Sequence, residues 1–147
     1  MAHVRKQIRD RIVSTLKSGV SLVQRRVHAT RFYALTSDEL PAITVSTVTE
    51  TSAMATVGTK TMMRNASVAV DIYVRATANV DDDLDKVAVQ VEEAIAGDFT
   101  VNGLAKDAVL QSTDIDFSGD AEQPVAVGRL TFLVRYITAI DDVETAR

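Results

Sequence analysis

Two histidines and one group of acidic residues are the side chains with which this sequence could perform acid–base or nucleophilic chemistry. Nucleophilic catalysis needs a base held beside the nucleophile. His3 lies near the start of the chain and His28 lies in a basic stretch, so we interpret both as exposed or helix-packed residues. Paired carboxylates can serve as general acid and base, and four acidic residues could gather at one edge of the protein: Asp114, Asp116, Asp120 and Glu122. A solvated edge explains these four residues equally well, so they give no catalytic assignment.

The sequence pattern also offers no recognisable metal or cofactor site. The chain contains no cysteine, which excludes disulfides, thiolate zinc sites and cysteine nucleophiles. The histidines lack metal-ligand spacing, and the six glycines form no phosphate-binding loop. We interpret Asp81–Asp83 as the cap and first turn of a helix, because consecutive aspartates do not converge on one cation. The sequence therefore predicts a protein that is not an enzyme and that holds no cofactor and no metal.

Length and composition are those of one globular domain over residues 1–147. The chain is 46% hydrophobic and 24% charged, which is typical of a packed protein and not of a disordered one. Charged residues interrupt the N-terminus, so it does not have the pattern of a signal peptide. The longest apolar run is well short of the roughly 20 residues of a membrane span. We therefore expect no membrane association.

The net charge of -4 conceals an uneven distribution of charges along the chain. Residues 1–31 carry eight basic and one acidic side chain, whereas the remaining 116 residues carry eight basic and nineteen acidic ones. A basic end on an acidic body fits contacts between copies of the chain, contacts with another partner, or nucleic-acid binding. A solvated helix face is the remaining interpretation of each charged run.

Hydrophobic periodicity predicts two helices that would position these charges. An apolar stripe that repeats every four residues predicts an amphipathic helix over residues 2–18, which ends at Gly19. Apolar residues at helical spacing follow Asp81–Asp83 and predict a second helix, which ends at Gly97. The many basic residues of the first helix would then lie on its polar faces.

Apolar and polar residues alternate in the rest of the chain, as they do in half-buried strands. The pattern predicts a weak strand at Ser21–Val27 and stronger strands at Ala42–Thr51, Arg64–Ala76, Ala108–Phe117 and Val125–Ala139. Residues 141–147 are predicted to be frayed. The predicted fold class is α+β, with a mixed, mainly antiparallel sheet of about four to five strands packed by two helices.

The segment Thr51–Met63 has a different composition, because small and polar residues dominate and methionines are interspersed among them. It has no helical stripe, so we predict either a long exposed loop or an extended β-hairpin arm. A loop of this length is unusual in a compact domain unless it is functional or disordered. Methionine makes adaptable apolar contacts. We therefore predict that this segment contacts a partner, through Met54, Thr56, Gly58, Lys60, Met62 and Arg64.

The order and spacing of these segments resemble a known family. The segments that carry the resemblance are ELPAITV at Glu39–Val45 with Glu50 after it, RNASVAVDIYVRA at Arg64–Ala76, DDDLDKVAVQVEEAIAGD at Asp81–Asp98, VNGLAKDAVLQSTDIDFSGD at Val101–Asp120 and GRLTFLVRYIT at Gly128–Thr138. The sequence resembles the tail terminator, or tail completion, proteins of long-tailed bacteriophages, the type represented by the minor tail protein U of lambda. The resemblance covers roughly residues 3–140.

The resemblance implies a structural virion protein at the neck junction, assembled in the host cytoplasm. Terminators of this kind form a hexameric ring that caps the growing tail tube, stops its polymerisation and provides the docking surface for the head. The implied partners are other copies of the chain, the tail tube protein and the head-completion or connector protein. Genomic DNA would pass through the lumen without specific binding. A head-completion or stopper protein of the neck, a terminator of a contractile-tailed phage and a basic-ended nucleic-acid-binding module remain as alternatives.

Within such a ring, the uneven charge distribution predicts which residues make contacts. We expect the basic end to meet acidic groups of a neighbouring subunit or of the tube protein, through Arg5, Arg9, Arg25 and Arg26. Lysine and arginine bind phosphate strongly, so a lumen lined by carboxylates or neutral groups would let DNA slide. We therefore expect the four acidic residues to face the lumen: Asp114, Asp116, Asp120 and Glu122.

Overall fold

The computed structural model describes residues 2–29, 40–118 and 125–147. Its helices are α1 (Val4–Gly19) and α2 (Val80–Gly97), with a short 3-10 turn at Ser21–Val23. Its strands are β1 (Val27–His28), β2 (Ala42–Thr56), β3 (Thr61–Arg75), β4 (Asp107–Ser118), β5 (Val125–Ala139) and β6 (Asp142–Ala146).

The strands form one sheet in the order β1-β2-β3-β5-β4, with β6 paired to β5 beyond the end of the β4–β5 pairing. Every pairing is antiparallel except the one between β1 and β2. The predicted fold class is therefore confirmed: two helices pack on a mixed, mainly antiparallel sheet. The described residues contain six strands, one more than the largest number predicted.

The core lies between the helices and one face of the sheet. The predicted apolar stripe of α1 is buried, including Val4, Ile8 and Leu16. In β5, alternate residues such as Leu130 and Phe132 are buried on the same side. Because successive strand residues point to opposite faces, this alternation fixes which face of the sheet the helices cover. Neither α1 nor α2, the two α-helices of the described residues, has the length and apolar character of a membrane span.

Two sequence predictions of local structure are wrong. Ser21–Val27 is not a strand, because Gln24 and Arg25 have positive φ angles of 50° and 68° that interrupt an extended chain. Residues 141–147 are not frayed. They contain β6, and the backbone N–H of Arg147 donates a hydrogen bond of 2.8 Å to the carbonyl oxygen of Ile137. β6 pairs with the part of the β5 edge that extends beyond β4. The sequence of residues 141–147 has no alternation of apolar and polar residues that would predict a strand.

The two helices approach each other closely at Gly19. A Cβ atom at this position would lie 2.8 Å from the Cβ atom of Ala94. Because packed cores tolerate extra atoms poorly, we expect Gly19→Ala to lower the free energy of unfolding by about 1–3 kcal/mol. Gly97→Ala is the matched control, since a Cβ atom there would have no neighbouring atom within 4 Å. Urea unfolding of both variants measures the difference, and equal stabilities would contradict the close approach of the helices.

Candidate assembly surfaces

The β2–β3 hairpin extends past the core as an exposed arm. Residues 51–60 are all exposed, and Val57 at the tip keeps 83% of its accessible surface. Thr56 pairs with Thr61, and the turn between them contains Lys60 with a positive φ angle of 51°. Of the two predicted forms of residues 51–63, the hairpin arm is therefore correct and the long loop is wrong. We name residues 51–63 the arm.

The arm is supported on one side by β5. Thr61 pairs with Ala139, and the backbone N–H of Ile140 donates a hydrogen bond of 2.8 Å to the carbonyl oxygen of Lys60. The arm is thus the end of a three-stranded ribbon of β2, β3 and β5. Small polar residues can form this extended strand because its pairing, and not an apolar face, holds it. Of the predicted contact residues, Thr56, Gly58 and Lys60 surround the tip, whereas Met54 and Met62 are cross-strand partners.

A cluster of charged and polar side chains lies at the base of the arm. The Glu50 carboxylate accepts a hydrogen bond of 2.7 Å from Arg5 and one of 3.2 Å from Arg64, both from guanidinium Nη1 atoms. The hydroxyl of Tyr136 donates to the other carboxylate oxygen. Arg64 Nε also donates to the hydroxyl of Thr138 at 3.0 Å. We name Glu50, Arg5, Arg64 and Tyr136 the Glu50 cluster. It joins the first turn of α1 to β2, β3 and β5.

The Glu50 cluster is largely removed from solvent. The side chains of Glu50 and Arg64 are 11% and 15% exposed, and Tyr136 is fully buried. Burial, together with the hydrogen bond to the Glu50 carboxylate, raises the pKa of the Tyr136 hydroxyl, which therefore stays protonated and remains a donor. Two guanidinium groups and a hydroxyl donate to this carboxylate, and both of its oxygens accept at least one of these hydrogen bonds. The cluster fixes where the arm leaves the core.

The sequence predictions did not identify this cluster. Arg5 and Arg64 were expected to contact a partner, and the structure places both on Glu50 of the same chain. One signal was available, because Glu50 is the only charged residue between Glu39 and Lys60. A single carboxylate in a strand of small residues needs a partner, but the sequence does not say which cations reach it.

Three more of the predicted contact arginines lie in the described residues. Arg9 Nη1 donates to the hydroxyl of Thr47 at 3.3 Å, beside β2. Arg25 is exposed, and Arg26 Nε donates to the carbonyl oxygen of Pro41 at 3.0 Å. Arg25 and Arg26 follow the C-terminal end of α1, whereas Arg5 lies in its first turn, so about 21 Å of helix separates the two groups. Of the four predicted arginines, Arg5 and Arg9 therefore lie on α1, and Arg25 and Arg26 lie beyond its C-terminal end.

Two of the four predicted lumen residues lie on β4. Asp114 and Asp116 are exposed on this strand, where their Cα partners in β5 are Arg129 and Val127. Asp120 and Glu122 lie outside the described residues. In residues 2–29, 40–118 and 125–147, no group of three or more histidine, aspartate or glutamate side chains could hold a metal ion.

Two arginines of β5 lie on the sheet face away from the helices, and each is bound by a carboxylate. Arg129 Nε and Nη2 donate to the two carboxylate oxygens of Asp71 at 2.7 and 3.0 Å. Arg135 Nε donates to Asp107 at 3.0 Å, and its Nη2 atom donates to the same carboxylate. Such bidentate pairs occupy both the cation and the anion. The positive charge of these two arginines is therefore compensated within the chain.

Comparison with known proteins identifies the family. A family model described as phage minor tail protein U matches residues 3–136. The chain belongs to the phage minor tail protein U family. This tail protein is accordingly a structural component of the virion, where it associates with other phage structural proteins, and the resemblance seen in the sequence is confirmed. Its family is one of structural phage tail proteins.

A solved virion structure contains a chain similar to this tail protein. The structure is titled "Virion of native gene transfer agent (GTA) particle", and the two chains share 13% sequence identity with a TM-score of 0.46. The match covers 84% of this chain and 90% of that chain. No curated protein matches the sequence.

In this tail protein, an ion pair joins α1 to the residue that follows the C-terminal end of α2. The Asp98 carboxylate accepts hydrogen bonds from Arg11 Nε at 2.9 Å, from the Thr15 hydroxyl at 3.2 Å and from the backbone N–H of Asn102 at 3.0 Å. The hydrogen bond from Arg11 is the main cause that holds the pKa of Asp98 below its ordinary value of 3.8.

We expect the Arg11–Asp98 ion pair to make the free energy of unfolding depend on pH in the acidic range. Because the folded-state pKa of Asp98 is lowered, its stabilisation is complete above the unfolded-state pKa of about 3.9 and is lost as pH falls through the folded value. Asp98→Asn should therefore lower the free energy of unfolding at pH 7 and should flatten its decline below about pH 4. Urea unfolding between neutral and acidic pH measures both effects. An unchanged slope in acid would show that the pair does not contribute.

Proposed function

We propose that this tail protein forms a hexameric ring that caps the end of the tail tube, stops tube polymerisation and provides the docking surface for the head-completion or connector protein. Family membership supports a structural role in the tail, and the exposed arm carries the finer proposal. A capping ring must grip the last tube subunits and must also present a different surface to the next component. An arm held at its base by the hydrogen bonds of the Glu50 cluster and exposed along residues 51–60 suits the first task.

The chemistry of the arm fits contact with another protein. Met54 and Val57 expose apolar side chains, and Lys60 adds one charge at the tip. The outer edge of β2 pairs with β1 only at Ile43 and Thr44, so no other strand of the described residues pairs with this edge at residues 51–56. Exposed strand edges of this kind can add a strand from a partner. We propose that the arm contacts the tube protein.

Passage of DNA through the ring sets the second requirement. A lumen must not hold phosphates, and the sheet face that carries Arg129 and Arg135 meets this condition because Asp71 and Asp107 bind both guanidinium groups. We propose that this face borders the lumen, that DNA passes without specific binding, and that the ring sits at the neck junction after assembly in the host cytoplasm.

Copurification from infected cells tests the assignment. A tagged chain is expected to recover the tail tube protein, and in complete virions also the connector. Recovery of connector without any tube protein would instead indicate a head-completion or stopper protein. Binding of duplex DNA with a steep salt dependence would indicate a nucleic-acid-binding module, because phosphate contacts release counterions.

A further inference from the structure

The β4 strand forms an edge of the sheet that the described residues leave unpaired. It is the last strand in the order β1-β2-β3-β5-β4, and residues 111–117 are exposed on both of its faces. Ile115 and Phe117 keep 47% and 54% of their accessible surface. A long edge strand with exposed apolar side chains is a template for association with another strand. Its exposed charges, Asp114 and Asp116, restrict which strand that is.

The strand register shows which residues of the opposite sheet edge are aligned with Asp114. Asp114 pairs with Arg129, Arg129 with Asp71, Asp71 with Thr44, and Thr44 with His28 of β1. Asp114 and β1 therefore occupy the two ends of one row across the sheet. Two basic residues directly precede β1 in the chain: Arg25 and Arg26.

The residues before β1 present positive charge at that edge. Gln24 and Arg25 both adopt left-handed backbone conformations, which are uncommon for residues other than glycine. Such conformations persist only where the surrounding structure holds them. Arg25 is exposed, and no ion pair of the described residues involves Arg25 or Arg26. A second copy of this chain can therefore bring two arginines, whose charges no carboxylate of the described residues neutralises, to the two aspartates of β4.

The strand directions permit this contact in a closed ring. β4 runs antiparallel to β5, and the alternation through β3 to β2 makes β4 run opposite to β2 and to its parallel partner β1. Rotation about an axis along the strands keeps the directions of a copied sheet. The β1 edge of the copy then meets β4 in the antiparallel sense, through a contact between two different surfaces that closes by rotation.

We propose that the β4 edge of one subunit packs against the β1 edge of the next, with Asp114 and Asp116 facing Arg25 and Arg26 and with Ile115 and Phe117 covered by the contact. This inference rests on the proposed ring and names its subunit interface. It places the two aspartates at the boundary between subunits, on the sheet face that also carries Arg129.

Reciprocal charge reversal tests the proposal. Arg25→Glu with Arg26→Glu, or Asp114→Lys with Asp116→Lys, is expected to weaken self-association roughly 10- to 100-fold at each contact, because like charges then face each other. The variant that carries all four changes restores opposite charges and is expected to recover ring formation. Glu92→Lys with Glu93→Lys is the matched control for the acidic side, and it should assemble normally. Light scattering after size-exclusion chromatography, with and without tail tubes, measures the oligomeric state.

Cysteine cross-linking provides a second measurement that does not depend on charge reversal. The natural chain has no cysteine, so Arg25→Cys with Asp116→Cys in one chain introduces the only thiols. Oxidation is expected to give covalent oligomers up to the ring, whereas pairing Arg25→Cys with Glu92→Cys should give none. Rings that form normally in both reversal variants and do not cross-link would overturn the edge contact while leaving the ring intact. Failure of the unaltered chain to form rings, alone or on tubes, would overturn the proposed function and the edge contact with it.

Discussion

Glu50→Ala is expected to lower the free energy of unfolding by about 3 kcal/mol. The change leaves the guanidinium groups of Arg5 and Arg64 without their shared carboxylate, and Arg64 is only 15% exposed. It also removes the acceptor of the fully buried Tyr136 hydroxyl. Removing one partner of a buried ion pair costs more than the pair itself contributes, because the remaining charges stay desolvated.

Urea unfolding followed by circular dichroism measures this effect. Glu50→Gln keeps an acceptor for Tyr136 but removes the negative charge, so its loss of stability should fall between those of the unaltered chain and Glu50→Ala. Glu93→Ala is a control on an exposed helix position, and it should change stability by about 0.5 kcal/mol or less. A Glu50→Ala variant as stable as this control would show that the Glu50 cluster does not organise the fold.

Shortening the arm is expected to separate folding from assembly. Ser52 and Arg64 are directly paired, so an Asn-Gly turn in place of Ala53–Met63 can close the hairpin with two residues. This variant keeps Glu50 and Arg64 and removes mainly exposed residues. We expect a loss of stability of about 1–2 kcal/mol, because Thr138 and Ala139 lose part of their cover. We also expect complete loss of tail capping.

Complementation of a phage that lacks this gene measures the second effect as the yield of infectious particles. Replacing only Ala55 and Thr59 with Ser keeps the length of the arm and all of its predicted contact residues, and this variant serves as the matched control. The control should support assembly, and the shortened arm should not. Normal particle yield from a folded, shortened variant would remove the arm from the proposed function.

The elements with strong periodicity could be predicted from the sequence. The four-residue apolar repeat of α1 and the strict alternation of β3 and β5 each report one buried face, and the structure buries those faces. β6 could not be predicted, because a free edge of β5 selects it and its own residues carry no alternation. The outer part of β2 also depends on pairing with another strand. Its Thr, Ser and Ala residues form a strand because β3 pairs with them.

The candidate surfaces were predictable only as a distribution of charge. The sequence located the basic end and the acidic body, but it did not predict that Arg5 and Arg64 bind Glu50 of the same chain. The fold brings residues 5, 50, 64 and 136 together from four separate elements, and pairing over such distances leaves no local signal. Asp114 lies at one end of a row of paired residues that crosses the sheet and reaches β1. This alignment depends on the register between strands, which the composition of single strands does not fix.

Electron microscopy of tail tubes assembled with and without this chain tests the central claim most directly. With the chain present, we predict tubes of uniform length that carry a sixfold ring at one end, and without it we predict tubes of variable length that lack the ring. The chain bound along the sides of the tube, or tube lengths that do not respond to its presence, would contradict a capping function.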